Sequence, residues 1–153
     1  MPERETLQRA RRDKRQGKAA STQAGEFIRE EIHHIREGKH GARSTKQAIA
    51  IGLSKARRSG VDLPTPDKGK VSAKTRKSAQ RAYQLGHGAP RRQRATAKRA
   101  HASEAALRRE PRAAASHRAL ARQASSAAHR RSGAQRSAAA RKAARTRKSP
   151  AHG

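Results

Sequence analysis

The sequence contains no cysteine and no tryptophan, and its aromatic rings are one phenylalanine, Phe27, and one tyrosine, Tyr83. Without cysteine, neither a disulfide framework nor a thiolate metal site can form. Without several rings, the stacking platforms on which RRM-like and OB-like domains hold single strands are missing, so specific single-strand recognition is disfavoured. No apolar stretch approaches the roughly 18 residues that a membrane span needs. The opening Met-Pro-Glu-Arg-Glu lacks the apolar run of a secretory signal. A soluble, intracellular protein with no membrane partner is expected.

Large apolar residues are scarce as well. Hydrophobic residues make up 32% of the chain, but most of them are alanine. Of the fifteen Leu, Ile, Val, Met and Phe residues, nine lie between Phe27 and Leu63. One small folded module of about forty residues is therefore expected, marginal on its own. Elsewhere too little area can be buried to offset the entropy of ordering the chain. Catalytic signatures are lacking too: there is no Walker-type glycine loop, no nucleophile elbow and almost no apolar wall for a pocket. Asp62 and Asp67 are too close in sequence and too exposed for an acid/base pair. Neither an enzyme nor a cofactor is expected.

What is abundant is positive charge. Lys and Arg number 39 against 11 Asp and Glu, a formal net charge of +28 on 153 residues. That excess repels itself unless a polyanion neutralises it, and each phosphate contact releases condensed counterions. Solubility alone needs a net charge of only a few units. The composition points to nucleic acid, to duplex DNA first and to RNA second. Contact through charge alone reads no base sequence.

Three segments are expected. Residues 1–21, with Arg9, Arg11, Arg12, Lys14, Arg15 and Lys18, read as a flexible basic arm, because no apolar stripe is there to dock it. Residues 22–63 read as a helix-turn-helix-like αα-hairpin at about 22–60. Ala24, Ile28, Ile32 and Ile35 draw one stripe along a helix from Thr22 to Glu37, and Gly38 stops it. Ser44 and Gln47 have capping-box spacing for a second helix, Thr45 to Ser59. Its small residues Ala48, Gly52 and Ala56 permit close approach to the first. Two such hairpins, each with a thin apolar face, are one route to a homodimer. Residues 64–153 read as a long Ala/Arg/Lys/Ser-rich basic tail, largely disordered and partly helical near 72–84, 103–109 and 116–131. Ser72, Ser103 and Ser116 are the candidate caps there. The fold class is thus mostly α. From residue 68 onward 24 Lys and Arg face two acids, Glu104 and Glu110.

The candidate nucleic-acid contacts follow this distribution. In the hairpin they are Lys39, Arg43, Ser44, Thr45, Lys46, Lys55, Arg57 and Arg58. Arg43-Ser44-Thr45-Lys46 gathers two hydroxyls and two cations at a positive helix end, which suits a phosphate, though ordinary capping explains it equally. In the tail they are Arg91, Arg92, Arg94, Lys98, Arg99, Arg108, Arg109, Arg118, Arg122, Arg130, Arg131, Arg136, Arg141, Lys142, Arg145, Arg147 and Lys148. Glu30-x-x-His33 has the spacing of carboxylate metal sites, but only one such motif occurs where several ligands are needed. His33 with Glu37 and Glu30 with His34 read instead as i,i+4 surface pairs, and no metal is expected.

The stretch from Glu26 to Gly60, with Gly38-Lys-His-Gly41 followed by Ser44-Thr-Lys-Gln-Ala-Ile-Ala-Ile-Gly-Leu53, resembles a family of short basic bacterial proteins. The domain they share has no assigned function, and some members are labelled DNA-binding or plasmid-stabilisation proteins. The resemblance covers about a quarter of the chain and implies a bacterial cytoplasmic setting, with no catalytic or binding residues to carry over. In composition the tail is similar to linker-histone and bacterial histone-like tails. Together these imply a nucleoid-associated, histone-like protein. The alternatives are an RNA- or ribosome-associated basic protein, and an adaptor whose hairpin grips a protein partner while the tail localises it.

Overall fold

The computed structural model describes residues 1–89 and 97–148, with the backbone alone at Ala97, Arg99 and Thr146. Seven α-helices make up most of the described residues: α1 Arg4–Arg15, α2 Ala20–Arg36, α3 Thr45–Arg58, α4 Ala73–Gly86, α5 Ala97–Arg109, α6 His117–His129 and α7 Gly133–Lys148. A single 3-10 turn, Ala113–Ala115, precedes α6. No strand occurs among the described residues, and the chain is mostly α.

α2 and α3 form the hairpin that the apolar spacing predicts. Ala24 and Ile35 are fully buried, and Gly38 ends the helix in the left-handed region at φ 79°. At the start of α3 the Ser44 hydroxyl accepts from Gln47 N (3.2 Å), and Gln47 Oε1 accepts from Arg43 N (2.8 Å). This is a capping box reaching one residue beyond the cap. Gly52 sits against α2 so closely that a Cβ there would lie 2.8 Å from Ile28 Cα. Ala48 and Ala56 are fully buried on the same face. α2 begins at Ala20, so Thr22 lies within its first turn and does not cap it.

α1 is docked on α2. Thr6, Ala10 and Asp13 are its buried residues, spaced i, i+4 and i+7, and Leu7 packs with Ala24, Phe27, Ala56 and Val61. The stripe is small and polar, which is why an apolar pattern does not reveal it. Arg9 Nε to Glu26 Oε2 (2.6 Å) joins the two helices, and Lys18 to Asp13 (2.8 Å) pins the connection between them to α1.

The turn end of the hairpin is covered by residues from beyond 100. Gly41 N donates to Leu107 O (2.8 Å) and Ala42 N to Pro111 O (3.1 Å). A Cβ at Gly41 would fall 1.8 Å from the Glu110 carbonyl oxygen, so only glycine permits this approach. Arg36 Nε donates to Ala115 O (2.8 Å) and the buried Thr45 hydroxyl to Ala114 O (2.7 Å). Ala114, Ala115 and Leu120 thereby join Ile32, Ile35, Ala42 and Ala48 in one core cluster. On the other side α4 packs on α3, burying Ala79 and Ala82. The apolar faces that suggest a homodimer are thus covered within one chain. Among the described residues only Met1 and Val71 are exposed large hydrophobics.

The segment expected to be largely disordered is helical over four stretches among the described residues. Ser72 and Ser116 cap α4 and α6 as their positions suggest, each accepting from the N–H three residues on. Ser103 instead lies inside α5, and α7 occupies a stretch that contains no expected helix. Alanine and arginine are strong helix formers, and in α7 that preference prevails over like-charge repulsion. No described residue of α7 is buried.

Candidate nucleic-acid interface

Charge is sorted by element. The seven acids between Glu3 and Glu37 are all committed to ion pairs within the folded part. Glu5 and Glu26 pair with Arg9, and Asp13 with Lys18. Glu30 and Glu31 pair with Lys55, Glu37 with Lys39, and Glu3 with Lys39 and His34. The Glu3 carboxyl is held below its usual range by His34 first and Lys39 second. The Lys39 ammonium is held above its usual range, chiefly by Glu37. Glu30 thus turns into the protein toward Lys55 rather than along the surface to His34, and Glu37 pairs with Lys39 rather than His33.

These pairs decide which hairpin cations remain for a ligand. Lys55 Nζ lies 2.7 Å from Glu31 Oε2 and 3.3 Å from Glu30 Oε1. Arg57 is 6% exposed and donates to the carbonyls of Leu63 (3.2 Å) and Pro64 (2.9 Å), burial working against its charge. Both face inward. Thr45 is buried on Ala114, and Ser44 is engaged in capping. Arg43, Lys46 and Arg58 are exposed. Arg43 and Lys46 share an open groove of about 570 Å³ with Arg122, Gln123 and Ser126 of α6, and no acid lines it.

Beyond the hairpin the cations face solvent. Lys98, Arg108 and Arg109 are exposed on α5, with Arg108 paired to Glu104 at 2.7 Å. Arg118 and Arg122 are exposed on α6, and Arg130 and Arg131 follow it. On α7, Arg136, Arg141, Lys142, Arg145, Arg147 and Lys148 are distributed around the whole helix. Arg91, Arg92 and Arg94 lie outside the described residues, as does the side chain of Arg99. Two further exposed sets lie outside the candidate contacts. One is Lys74, Lys77 and Arg81, spaced i, i+3 and i+7 on α4, and the other is Arg11, Arg12, Lys14 and Arg15 on α1. Charge density marks both.

Residues 4–68, under half of the chain, match a family described as a family of unknown function (DUF6496). The matched span holds α1, α2 and α3, so the family unit extends on both sides of the hairpin. No curated protein and no solved structure matches the chain. No helix among the described residues is long and apolar enough to cross a membrane.

Proposed function

We propose that this chain binds nucleic acid, duplex DNA before RNA, by neutralising phosphate without reading base sequence. One observation carries the reading: the acids of the folded part are consumed by internal pairs, while the described cations of α5, α6 and α7 are exposed, with one acid, Glu104, on those helices. An electrostatic footprint of that kind needs no groove edge to be read. The α1–α3 unit, closed by residues 107–120, is the anchor, and the basic helices beyond it are the contact surface. Arg43, Lys46 and Arg122 extend that surface across the groove between α3 and α6. The role that fits is a histone-like, nucleoid-associated one in a bacterial cytoplasm. DNA ranks above RNA because the major groove of B-DNA admits a basic α-helix between its rows of phosphates, whereas that of A-form RNA is too deep and narrow. An adaptor role is less well supported, since exposed large hydrophobics are confined to Met1 and Val71 among the described residues.

The test is a salt-resolved titration of the full chain and a 1–132 truncation against duplexes of different sequence and a structured RNA. Truncation removes six cations of α7 and should reduce the salt slope by up to about 5, equally for every duplex. An unchanged slope, a strong preference among duplexes, or tighter binding to RNA at matched salt would each overturn the reading.

A further inference from the structure

In a chain of net charge +28, four of the eleven acids, Glu3, Glu30, Glu31 and Glu37, converge on the face of α2 beside His34 and His40. Glu31, 1% exposed, is among the largest fully buried side chains. Burying a carboxylate is costly unless it is paired or coordinates a cation. Lys55 serves one oxygen of Glu31, Oε2 at 2.7 Å, and the other, Oε1, lies 3.3 Å from His40 Nε2. Glu31 and His34 are one helical turn apart on α2, and the Gly38 turn brings His40 back toward them. One donor atom from each of Glu31, His34 and His40 lies within 4.8 Å of the other two.

His40 meets an acceptor at each ring nitrogen. Its Nδ1 is 3.1 Å from the carbonyl oxygen of Gly41, and its Nε2 faces the Glu31 carboxylate. Both neighbours are acceptors, and a neutral imidazole has one N–H to give. Donation from Nδ1 to a backbone carbonyl is the usual orientation of a metal-ligating histidine, and it leaves the Nε2 lone pair directed at a carboxylate oxygen. A cation between the two relieves that opposition. His34 repeats the arrangement in part, with Nε2 2.9 Å from Glu3 Oε1.

We propose that Glu31, His34 and His40 bind a divalent transition-metal ion of the zinc class, with water in the fourth position. Two imidazoles with a carboxylate select zinc-like ions over magnesium or calcium. Glu31 offsets part of the ion's charge, and Lys55 is shared between Glu31 and Glu30. Lys55 is a positioning residue, fixing the Glu31 carboxylate by its far oxygen. The ion ties the body of α2 to the 38–42 loop, on which residues 107–111 rest. Nucleic acid is not required for it.

The test uses the full-length, tag-free chain, stripped with chelator and titrated with Co²⁺ and then Zn²⁺ at neutral pH. One equivalent of Co²⁺ should give the visible d–d bands of four-coordinate cobalt, and equimolar Zn²⁺ should raise Tm. His34→Ala and His40→Ala should each weaken Zn²⁺ binding by more than about tenfold, while His33→Ala leaves it unchanged. Because His40→Ala also removes the contact to the Gly41 carbonyl, the unmodified chain decides by itself. Absent bands with no change in Tm would overturn the proposal and leave a proton as the bridging cation. Bands that survive in the His34→Ala/His40→Ala double variant would overturn it equally, by assigning the ion to other histidines.

Discussion

Lys55 Nζ lies 2.7 Å from Oε2 of Glu31, so a cation that charge density alone assigns to phosphate is committed to a buried carboxylate of α2. Replacing it by Met removes the charge facing both Glu30 and Glu31. Lys55→Met should cost on the order of 3 kcal/mol, because breaking a buried pair strands the remaining charge. Urea unfolding followed by circular dichroism measures it, and an unchanged midpoint would mean that Lys55 stands in solvent.

Two helical glycines should respond with opposite sign. At Gly52 an added Cβ meets Ile28 Cα at 2.8 Å, whereas at Gly25 it meets nothing within 4 Å. Gly25→Ala should stabilise by roughly 0.5–1 kcal/mol through helix propensity. Gly52→Ala should destabilise by about 1–3 kcal/mol, since overpacking outweighs the same propensity gain. Thermal unfolding of the pair compares them directly.

The Thr45 hydroxyl donates to Ala114 O across 69 residues of sequence. Thr45→Val leaves that carbonyl buried without its partner and should cost about 1–3 kcal/mol. The loss should fall on the docked segment first, so limited trypsin digestion at Arg112 and Arg118 should quicken before the hairpin unfolds. Equal digestion rates would show that the 3-10 turn is held by other contacts.

Tyr83 donates its hydroxyl proton to Asp62 Oδ1 at 2.6 Å, which raises the phenol above its ordinary 10.0. A folded-state pKa above the unfolded one gives stability that is complete below the unfolded value and lost as pH rises through the folded one. The tether of α4 to the 61–63 segment should therefore release only in strong alkali. Tyr83 is the sole tyrosine, so phenolate absorbance reports it alone. Asp62→Asn should lower the midpoint toward 10, and an unmoved midpoint would break the link.

Cations of equal formal charge should differ in their weight on DNA binding. Arg141, Arg145 and Lys148 are exposed on α7, while Lys39 bridges Glu3 and Glu37. Changing the first three together to Gln should reduce the salt slope by up to about 3. Lys39→Gln should leave it unchanged within error. Equal effects per charge would show that pairing does not determine which cations bind.

The α2–α3 hairpin was legible because it rests on local rules. Apolar spacing, a left-handed glycine and a capping box each act within a few residues, and Gly38, Ser44 with Gln47, and Gly52 all perform the roles their positions suggest. The helical content of the region beyond residue 68 was legible only in part: Ser72 and Ser116 mark helix starts, and Ser132 with Gln135 forms a capping box before α7, but no apolar stripe announces that last helix.

The sequence by itself determined the amount of charge, the lack of thiols and rings, and the position of the one apolar-rich segment. These are sums and short-range patterns, independent of how the chain returns on itself. Only the tertiary structure decided that Thr6, Ala10 and Asp13 dock α1, that Ala114 and Ala115 seal the hairpin, and that Lys55 and Arg57 face inward. All but those of Arg57 join residues tens of positions apart, through small side chains, ion pairs and backbone carbonyls. No periodicity records them, because their free energy comes from close fit and paired charge rather than from apolar area.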